Sequence, residues 1–359
     1  MRKKLTAMYA IALFLLLLGG MIAVLLFAYK DTDRLIKTFV GFAVSFVLAP
    51  VCHEFGHAAF ARLAKMKIVY LKCFCFRYAK VKGKGKFSLC SPFDADETQA
   101  LPTTAEGMQN RALLYSAGGL ITEGAVCLVL GVCAILTAVF GVPNFLLFGI
   151  LPYAVYLFLL NAAPLEYPSG KTDMRIIRGI KKGEPAERTM VAVMAAQGEL
   201  YAGKSFGELQ ADTLFSLPQL AEDEPLFAAV LDMKYRYALE KQDYDLAEDC
   251  LKRLLASEEY LTDGYYQTLK IELVYFSLLL GKDEPLKKLY ETDEEFLRSD
   301  DYRAKRILAL YSSLVGKAEE AEILIAQAQD ALEGELTSGV RKFEEILLGR
   351  IKERVKGNN

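Results

Sequence analysis

Histidine is almost absent from this sequence. Only His53 and His57 occur among its 359 residues, so a metal site built from three histidines is excluded. A third protein ligand to an ion held by these two residues must be a carboxylate or a thiolate. The seven cysteines show no spacing typical of a disulfide framework, which favours a reducing compartment. Cys73, Cys75 and Cys90 form a loose group, for which a second metal site is the weaker alternative.

Acidic residues are missing between Lys65 and Lys86, where eight basic residues occur. Basic side chains alternate there with β-branched and aromatic ones, and Gly83 and Gly85 interrupt the pattern. This arrangement predicts a small hairpin or sheet at the membrane surface, because alternation is typical of strands and glycine of tight turns. The positive charge is expected to attract anionic lipid headgroups. A solvated loop that only sets membrane topology is the alternative.

Long hydrophobic runs are abundant. Hydrophobic residues make up 53% of the chain and its mean hydropathy is +0.21, which is too apolar for an ordinary soluble protein. The first run is too long for a signal peptide and lacks a cleavage site, so it is interpreted as a retained transmembrane helix. In the third run, Gly118, Gly119 and Gly131 are expected to let neighbouring helices approach closely. The predicted spans are residues 5–29, 35–63, 112–140 and 144–162.

Charge divides the chain into two regions. Residues 1–183 contain 21 Lys and Arg against 10 Asp and Glu, whereas residues 184–359 contain 22 against 35. The basic N-terminus, the basic loop after the second span and the basic residues after the fourth span all fall on one side of a four-span arrangement. We therefore expect an integral protein of a bacterial cell membrane, with the N- and C-termini in the cytoplasm.

The second span contains the five-residue segment His-Glu-Phe-Gly-His at 53–57. Positions four apart lie on one face of a helix, so His53 and His57 are placed to bind a single ion, most simply zinc. Glu54 is too near in sequence to be a comfortable third ligand, and it is the candidate general base for a water on that ion. The alternative is an ordinary buried histidine pair or a degenerate site. An ionisable cluster within an apolar helix favours the catalytic interpretation.

Asp173 is the candidate third ligand. It follows the loop rich in Pro, Ser and Gly after the fourth span, and the predicted topology returns it to the same cytoplasmic side as the two histidines. Glu166 and Glu123 are alternative ligands, whereas Cys52 points away from the histidine face. A competing interpretation is that Asp173 only caps the N-terminus of a helix beginning at Met174.

These residues resemble a known family. The segment 53–57, followed by two alanines, resembles the first motif of the site-2 protease family, which are intramembrane zinc metalloproteases. Residues 115–120 (Tyr-Ser-Ala-Gly-Gly-Leu) are similar to the family's Ala-Gly-Pro-Leu segment, and residues 161–164 (Asn-Ala-Ala-Pro) to the Asn-x-x-Pro that precedes its third zinc ligand. The resemblance covers roughly residues 35–180 and implies an intramembrane core with zinc near the cytosolic surface. It also implies that Asn161 holds the unwound substrate or the oxyanion.

The sequence departs from the family's pattern at several positions. Gly119 replaces the proline, Thr122 stands where asparagine is common, and Thr-Asp-Met at 172–174 replaces Leu-Asp-Gly. The last change puts the identity of the third ligand in doubt. No inserted PDZ-like domain is present.

Beyond residue 183 the sequence changes to amphipathic helical segments with charged faces. Turn segments at 241–244, 281–283 and 316–318 are spaced by about 40 and 35 residues, near the 34-residue period of tetratricopeptide repeats. The region resembles degenerate repeats of this kind, with an unspecified helical bundle as the alternative. The predicted fold is an all-α polytopic membrane protein with four transmembrane helices, a small membrane-surface β hairpin or sheet, and a cytosolic α-helical repeat domain.

The expected function is that of a zinc metalloprotease that cleaves peptide bonds in or near the membrane. Its substrate is expected to be a transmembrane protein or a leader peptide, and its helical domain is expected to offer a surface to a cytosolic protein partner. No nucleic acid is expected among its partners. The alternative is a catalytically inactive membrane adaptor that works through the helical domain. A third interpretation is a membrane zinc hydrolase that acts on something other than peptides.

Overall fold

A computed structural model of the chain describes residues 2–81, 83–167 and 170–357. Lys82 of the predicted hairpin, and Pro168 and Ser169 of the predicted loop, lie outside the described residues. The fold is mostly helical, with a small antiparallel sheet, as predicted. The chain forms two compact units whose main boundary lies between Glu187 and Arg188, and each unit has its own architecture.

Four helices of the N-terminal unit are long and apolar enough to cross a membrane. They correspond to the four predicted spans. The largest difference is at the start of the third helix, which begins four residues before the predicted 112. The helices are α1 (Arg2–Ala28), α2 (Thr32–Leu63), α3 (Met108–Val139) and α4 (Phe145–Ala162).

Glycines determine how closely these helices pack. A Cβ added to Gly56 of α2 would lie 2.5 Å from the carbonyl oxygen of Gly118 in α3, so the two backbones are in direct contact at this crossing. Gly41 of α2 and Gly149 of α4 form a second crossing of the same kind. The close approach expected at Gly118 is confirmed. The expectation for Gly131 is wrong, because an added Cβ would meet no described atom within 4 Å.

The small sheet lies between α2 and α3 in the chain, and the hairpin predicted around Gly83 and Gly85 forms two of its strands. Strand β1 begins just after α2 ends, so the sheet starts beside the segment that contains both histidines. The strand order β3-β2-β1-β4 leaves β3 and β4 at the edges, and β4 also contacts α2. The strands are β1 (Met66–Cys73), β2 (Phe76–Val81), β3 (Lys84–Leu89) and β4 (Glu97–Pro102).

Residues 188–357 of the C-terminal unit form helices joined by turns and short connecting segments, and they enclose a large apolar core. Consecutive helices pack against each other in the pairs α8/α9, α10/α11 and α13/α14, as the amphipathic pattern predicts. Assignment to tetratricopeptide repeats stays a prediction. The helices are α5 (Asp173–Lys182) at the end of the first unit, then α6 (Pro185–Tyr201), α7 (Ala211–Phe215), α8 (Pro225–Lys241), α9 (Tyr244–Ala256), α10 (Asp263–Leu279), α11 (Glu284–Thr292), α12 (Glu294–Arg298), α13 (Tyr302–Leu314), α14 (Ala318–Ala331) and α15 (Ser338–Gly357).

An ion network joins α10, α13 and α15 inside this core. The Arg306 guanidinium is fully buried and donates hydrogen bonds to Glu272 (2.8 Å to Oε1) and to Glu344 (2.6 Å to Oε2). The guanidinium also stacks over the Tyr275 ring, 4.1 Å from its centroid. Burial alone would lower the pKa of Arg306, but the two carboxylates more than offset this and keep it charged.

Candidate metal centre

Helix α2 places both histidines on one face, one helical turn apart. The helix continues unbroken through Pro50, and both imidazoles are buried in the N-terminal unit. The two ring centroids lie 4.8 Å apart, and the two Nε2 atoms are separated by only 3.2 Å. The predicted convergence of His53 and His57 on one point is therefore present in the geometry.

The other ring nitrogens determine which tautomer each histidine adopts. Nδ1 of His53 lies 3.1 Å from a carboxylate oxygen of Glu123, and Nδ1 of His57 lies 2.9 Å from the backbone carbonyl of Tyr115. Both oxygens are acceptors, so each neutral imidazole has its proton on Nδ1. Each Nε2 then presents a bare lone pair, which is the arrangement of a metal-binding histidine with its outer-shell partner.

Asp173 brings a third acceptor to the same point. Its Oδ2 atom is 3.3 Å from Nε2 of His53 and 3.3 Å from Nε2 of His57. This buried oxygen has no hydrogen-bond partner. Three lone-pair atoms that face one another at this distance repel each other unless a proton or a metal cation lies between them. Among the described residues, these three form the single group of His, Cys, Asp and Glu side chains close enough to hold one metal ion.

The spacing of the three atoms suits zinc. Tetrahedral zinc binds nitrogen and oxygen at about 2.0–2.1 Å, which separates any two ligand atoms by about 3.3–3.4 Å. The observed separations are 3.2, 3.3 and 3.3 Å. Two imidazoles and one carboxylate are also the ligand types of catalytic zinc sites, which keep a fourth position for water. The residues present therefore fit the ion that the sequence predicts.

The local fold explains why Asp173 reaches the histidines. Thr172 fixes the preceding loop, because its Oγ1 donates to the Ala163 carbonyl (2.6 Å) and accepts from the Leu165 amide (3.1 Å). Thr172 is also the N-cap residue of α5, and Asp173 is the first residue within the helix. The competing interpretation of Asp173 as a cap is wrong, since the cap position belongs to Thr172.

Gly119 forms the floor of the site. A Cβ at this position would lie 2.6 Å from both Nε2 of His57 and Cε1 of His53. Any other residue would displace the histidine rings, so only glycine fits here. The departure at Gly119 from the proline of the site-2 protease motif is therefore explained by the space that the two histidine rings need.

The carboxylate of Glu54 is held by a hydrogen bond from the small sheet. Thr98 of β4 donates a 2.6 Å hydrogen bond from its Oγ1 to Oε2 of Glu54, and both residues are buried. The same Oγ1 lies 3.2 Å from the Glu54 backbone carbonyl. One carboxylate oxygen is thereby fixed, and the other is left for a further partner.

The remaining predicted residues fall in different places. Asn161 lies in the last turn of α4, and its side chain neighbours Glu123. Glu123 itself orients His53, so it contacts a ligand and is not part of the three-residue group. Glu166 is exposed and pairs with Arg175 at 3.3 Å, which removes it from the group as well. Cys52 is likewise outside the group.

The loose cysteine group lacks the properties of a second metal site. Burial raises the pKa of the Cys73 thiol to about 12, so it stays protonated near neutral pH and is a poor ligand. Cys90 donates a weak hydrogen bond from Sγ to the Phe74 carbonyl. Among the described residues, the three cysteines form no metal-capable cluster.

Two contacts of the site were not predicted from the sequence. Thr98 lies in a strand with no chemical motif around it, and Tyr115 contributes through its backbone carbonyl, which any residue type provides. For Glu123 a signal did exist, because a carboxylate inside an apolar span is costly unless it has a partner.

No family model, no curated protein and no solved structure matches this chain. The chemical interpretation of the site therefore rests on the geometry of its residues. These are the three ligand candidates (His53, His57 and Asp173), the carboxylate of Glu54, and the groups that orient them.

Proposed function

We propose that this chain is a zinc metalloendopeptidase of the membrane, similar in its site to site-2 proteases. The observation that carries the proposal is the convergence of His53 Nε2, His57 Nε2 and Asp173 Oδ2 at 3.2–3.3 Å from one another. Both Nδ1 atoms already have oxygen partners outside the group, so each neutral imidazole directs a lone pair on Nε2 toward the aspartate oxygen. A zinc ion held by these three residues would place positive charge between their lone pairs.

Zinc bound there would lower the pKa of a water molecule and polarise the carbonyl of a scissile peptide bond. The chain's own residues supply the proton transfers. Glu54 accepts the proton of the attacking water through the oxygen that Thr98 leaves free, and it later delivers a proton to the leaving amine. Glu123 and the Tyr115 carbonyl keep both imidazoles in the tautomer that exposes Nε2. Asn161, beside Glu123, is assigned to hold the unwound substrate.

A membrane-embedded or membrane-proximal peptide is the substrate class we propose. The site is formed by α2 and α3, two helices apolar and long enough to span a membrane, and by the N-terminus of α5. The distribution of Lys and Arg supports placing both termini in the cytoplasm. The helical pairs of the C-terminal unit then offer a surface to a cytosolic protein partner.

Metal content tests the first half of the proposal. We expect the full-length protein, purified in detergent, to contain about one zinc per chain by plasma mass spectrometry. Glu54→Gln should retain this zinc, because Glu54 is not a ligand. His57→Ala should lose it. Zinc absent from the wild type after purification in zinc-containing buffer would contradict the proposal.

Cleavage products test the second half. Membranes of cells that express the wild type should contain new peptide termini within or beside apolar spans, and cells that express Glu54→Gln should lack them. General acid–base help is worth roughly 100- to 10,000-fold, so the difference should be large. Identical termini in both, with zinc bound, would favour the inactive adaptor over the protease.

A further inference from the structure

A small cavity lies in the C-terminal unit between α8, α9 and the segment that precedes α8. Its volume is about 190 Å³. Phe227 of α8 is followed three and four positions later by Val230 and Leu231, so the three side chains share the helix face that lines the cavity. The apolar lining residues are Leu217, Leu220, Phe227, Val230 and Leu231.

Two cations line the same cavity, and none of its described lining residues is acidic. Lys234 lies one helical turn beyond Val230 on α8, and Arg253 comes from α9. Burial lowers the pKa of the Lys234 ammonium, and the positive charge of Arg253 lowers it further. The two cations are therefore close enough to repel each other across the cavity.

Neither cation is well compensated by the rest of the unit. The Lys234 ammonium lies over the ring of Phe215, 5.2 Å from its centroid, and forms no ion pair with a described carboxylate. The Arg253 guanidinium lies 5.4 Å from the ring centroid of Phe227. Its ion pair with Asp249 is long, at 4.0 Å, and the Asp249 side chain is 65% exposed. A solvated contact of this length contributes little, so the cavity retains a net positive charge.

The volume of the cavity decides what it can hold. An apolar cavity of about 150 Å³ is known to hold one benzene molecule, whereas pockets for drug-sized ligands measure about 300–1,000 Å³. The observed 190 Å³ suits a single six-membered ring or a short branched chain that carries one small charged group. A helix of a protein partner is too large for it.

We propose that this cavity binds a small monocarboxylate. The ring or branched chain of the ligand enters between α8 and residues 217–220, and its carboxylate is held by Lys234 and Arg253. The charge of the region supports an anionic ligand at this place, because residues 184–359 are acidic overall, with 22 Lys and Arg against 35 Asp and Glu, and yet this cavity is lined by cations. The inference is independent of the zinc site, and a protein without peptidase activity would show the same binding.

Binding of para-fluorobenzoate tests the proposal. The full-length protein is reconstituted into nanodiscs of phosphatidylcholine, and ligand binding is followed by fluorine NMR line broadening, with empty nanodiscs as the blank. Two comparison ligands separate the contributions of ring and charge. Para-fluorobenzyl alcohol keeps the ring without the charge, and trifluoroacetate keeps the charge without the ring.

Three variants locate the binding in the cavity. Lys234→Met and Arg253→Met each remove one cation and retain an unbranched apolar side chain. Lys252→Met is the matched control, because Lys252 precedes Arg253 in α9, pairs with Glu248 at 2.9 Å and has a side chain that is 68% exposed. Circular dichroism verifies that each variant keeps the helix content of the wild type.

We expect the wild type to bind para-fluorobenzoate saturably, with a Kd of about 1 mM or below for a ligand of this size. Lys234→Met and Arg253→Met should each weaken binding roughly tenfold or more, because each removes a charge-assisted hydrogen bond. Lys252→Met should bind like the wild type. Both comparison ligands should bind at least about tenfold more weakly than para-fluorobenzoate.

Two results overturn the proposal as a whole. These are the absence of saturable binding to the wild type and full retention of binding by both Lys234→Met and Arg253→Met. Equal binding of the alcohol overturns the assignment of a carboxylate to the two cations. Equal binding of trifluoroacetate overturns the assignment of a ring or branched chain to the apolar walls.

Discussion

Thr98 donates a 2.6 Å hydrogen bond from Oγ1 to Oε2 of Glu54, and this bond ties the surface sheet to the candidate general base. Thr98 belongs to β4, which pairs with β1 along most of its length. Because the carboxylate is held by the sheet and not by its own helix, the position of the base depends on the sheet's register. A proton-transfer group works only when it is held within hydrogen-bond reach of its partner.

Thr98→Val should slow peptide cleavage while zinc stays bound. Valine has the shape of threonine without the hydroxyl, and a hydrogen bond to a charged group is worth about 1.5–3 kcal/mol, or roughly 10- to 100-fold. The loss should appear in kcat, with KM almost unchanged. Thr98→Ser, which retains the hydroxyl, should restore most of the rate. Kinetics on a peptide found by the Glu54→Gln comparison provide the measurement, and equal rates for Val and Thr would contradict this role.

The sequence predicts the membrane helices and the histidine pair well because both depend on local patterns. Apolar length alone identifies α1 to α4, and a four-residue spacing places His53 and His57 on one face. Thr98 and the Tyr115 carbonyl were not predictable in this way. Their roles arise from how β4 and α3 pack against α2, and no spacing along the chain encodes that packing.

Glu123→Leu should weaken zinc binding without abolishing it. Glu123 accepts the Nδ1 proton of His53, and loss of such an outer partner typically reduces metal affinity 10- to 100-fold. Glu123→Gln retains an oxygen acceptor and should lose less. Competition with a chelator of known affinity measures the difference between the two variants. Equal affinity for Leu and the wild type would show that His53 is oriented without it.

Asp173→Ala should abolish both zinc binding and cleavage. The carboxylate is one of three protein ligands in the proposed site, and two histidines with two waters hold zinc far more weakly. Glu166→Ala is the matched control, because Glu166 is a nearby carboxylate that pairs with Arg175 at the surface. Zinc content of both purified variants decides between them. Full occupancy in Asp173→Ala and loss in Glu166→Ala would move the ligand to Glu166.

Arg306→Met should destabilise the C-terminal unit strongly. It removes the cation that donates hydrogen bonds to the buried carboxylates of Glu272 and Glu344, and breaking a buried pair typically costs about 3–5 kcal/mol. Amide hydrogen exchange in α10 and α13 of the full-length protein should accelerate accordingly. The exposed pair of Arg298 and Glu294 provides the control, since Arg298→Ala should change exchange by less than about 1 kcal/mol. A similar effect of both variants would mean that the buried network contributes little.

Gly119→Ala tests whether the contact between helix α3 and the two histidine rings is too close for any side chain at position 119. The added methyl group would lie 2.6 Å from Nε2 of His57 and 2.7 Å from Nε2 of His53, inside the space that a bound ion and its ligands need. The imidazoles would have to rotate away, and the Nδ1 bonds to Glu123 and Tyr115 would break with them. We therefore expect loss of zinc and of cleavage, although alanine is the better helix former.

Gly131→Ala is the matched control for this substitution. It lies in the same helix α3, and a Cβ there would meet no described atom within 4 Å. Zinc content and cleavage should stay at the wild-type level, and helix propensity should favour the variant slightly. Normal zinc binding by Gly119→Ala would contradict the expectation, because the histidine rings would then bind zinc without the close contact to Gly119. Loss of zinc in Gly119→Ala alone would show that zinc binding needs the close contact between Gly119 and the two histidine rings.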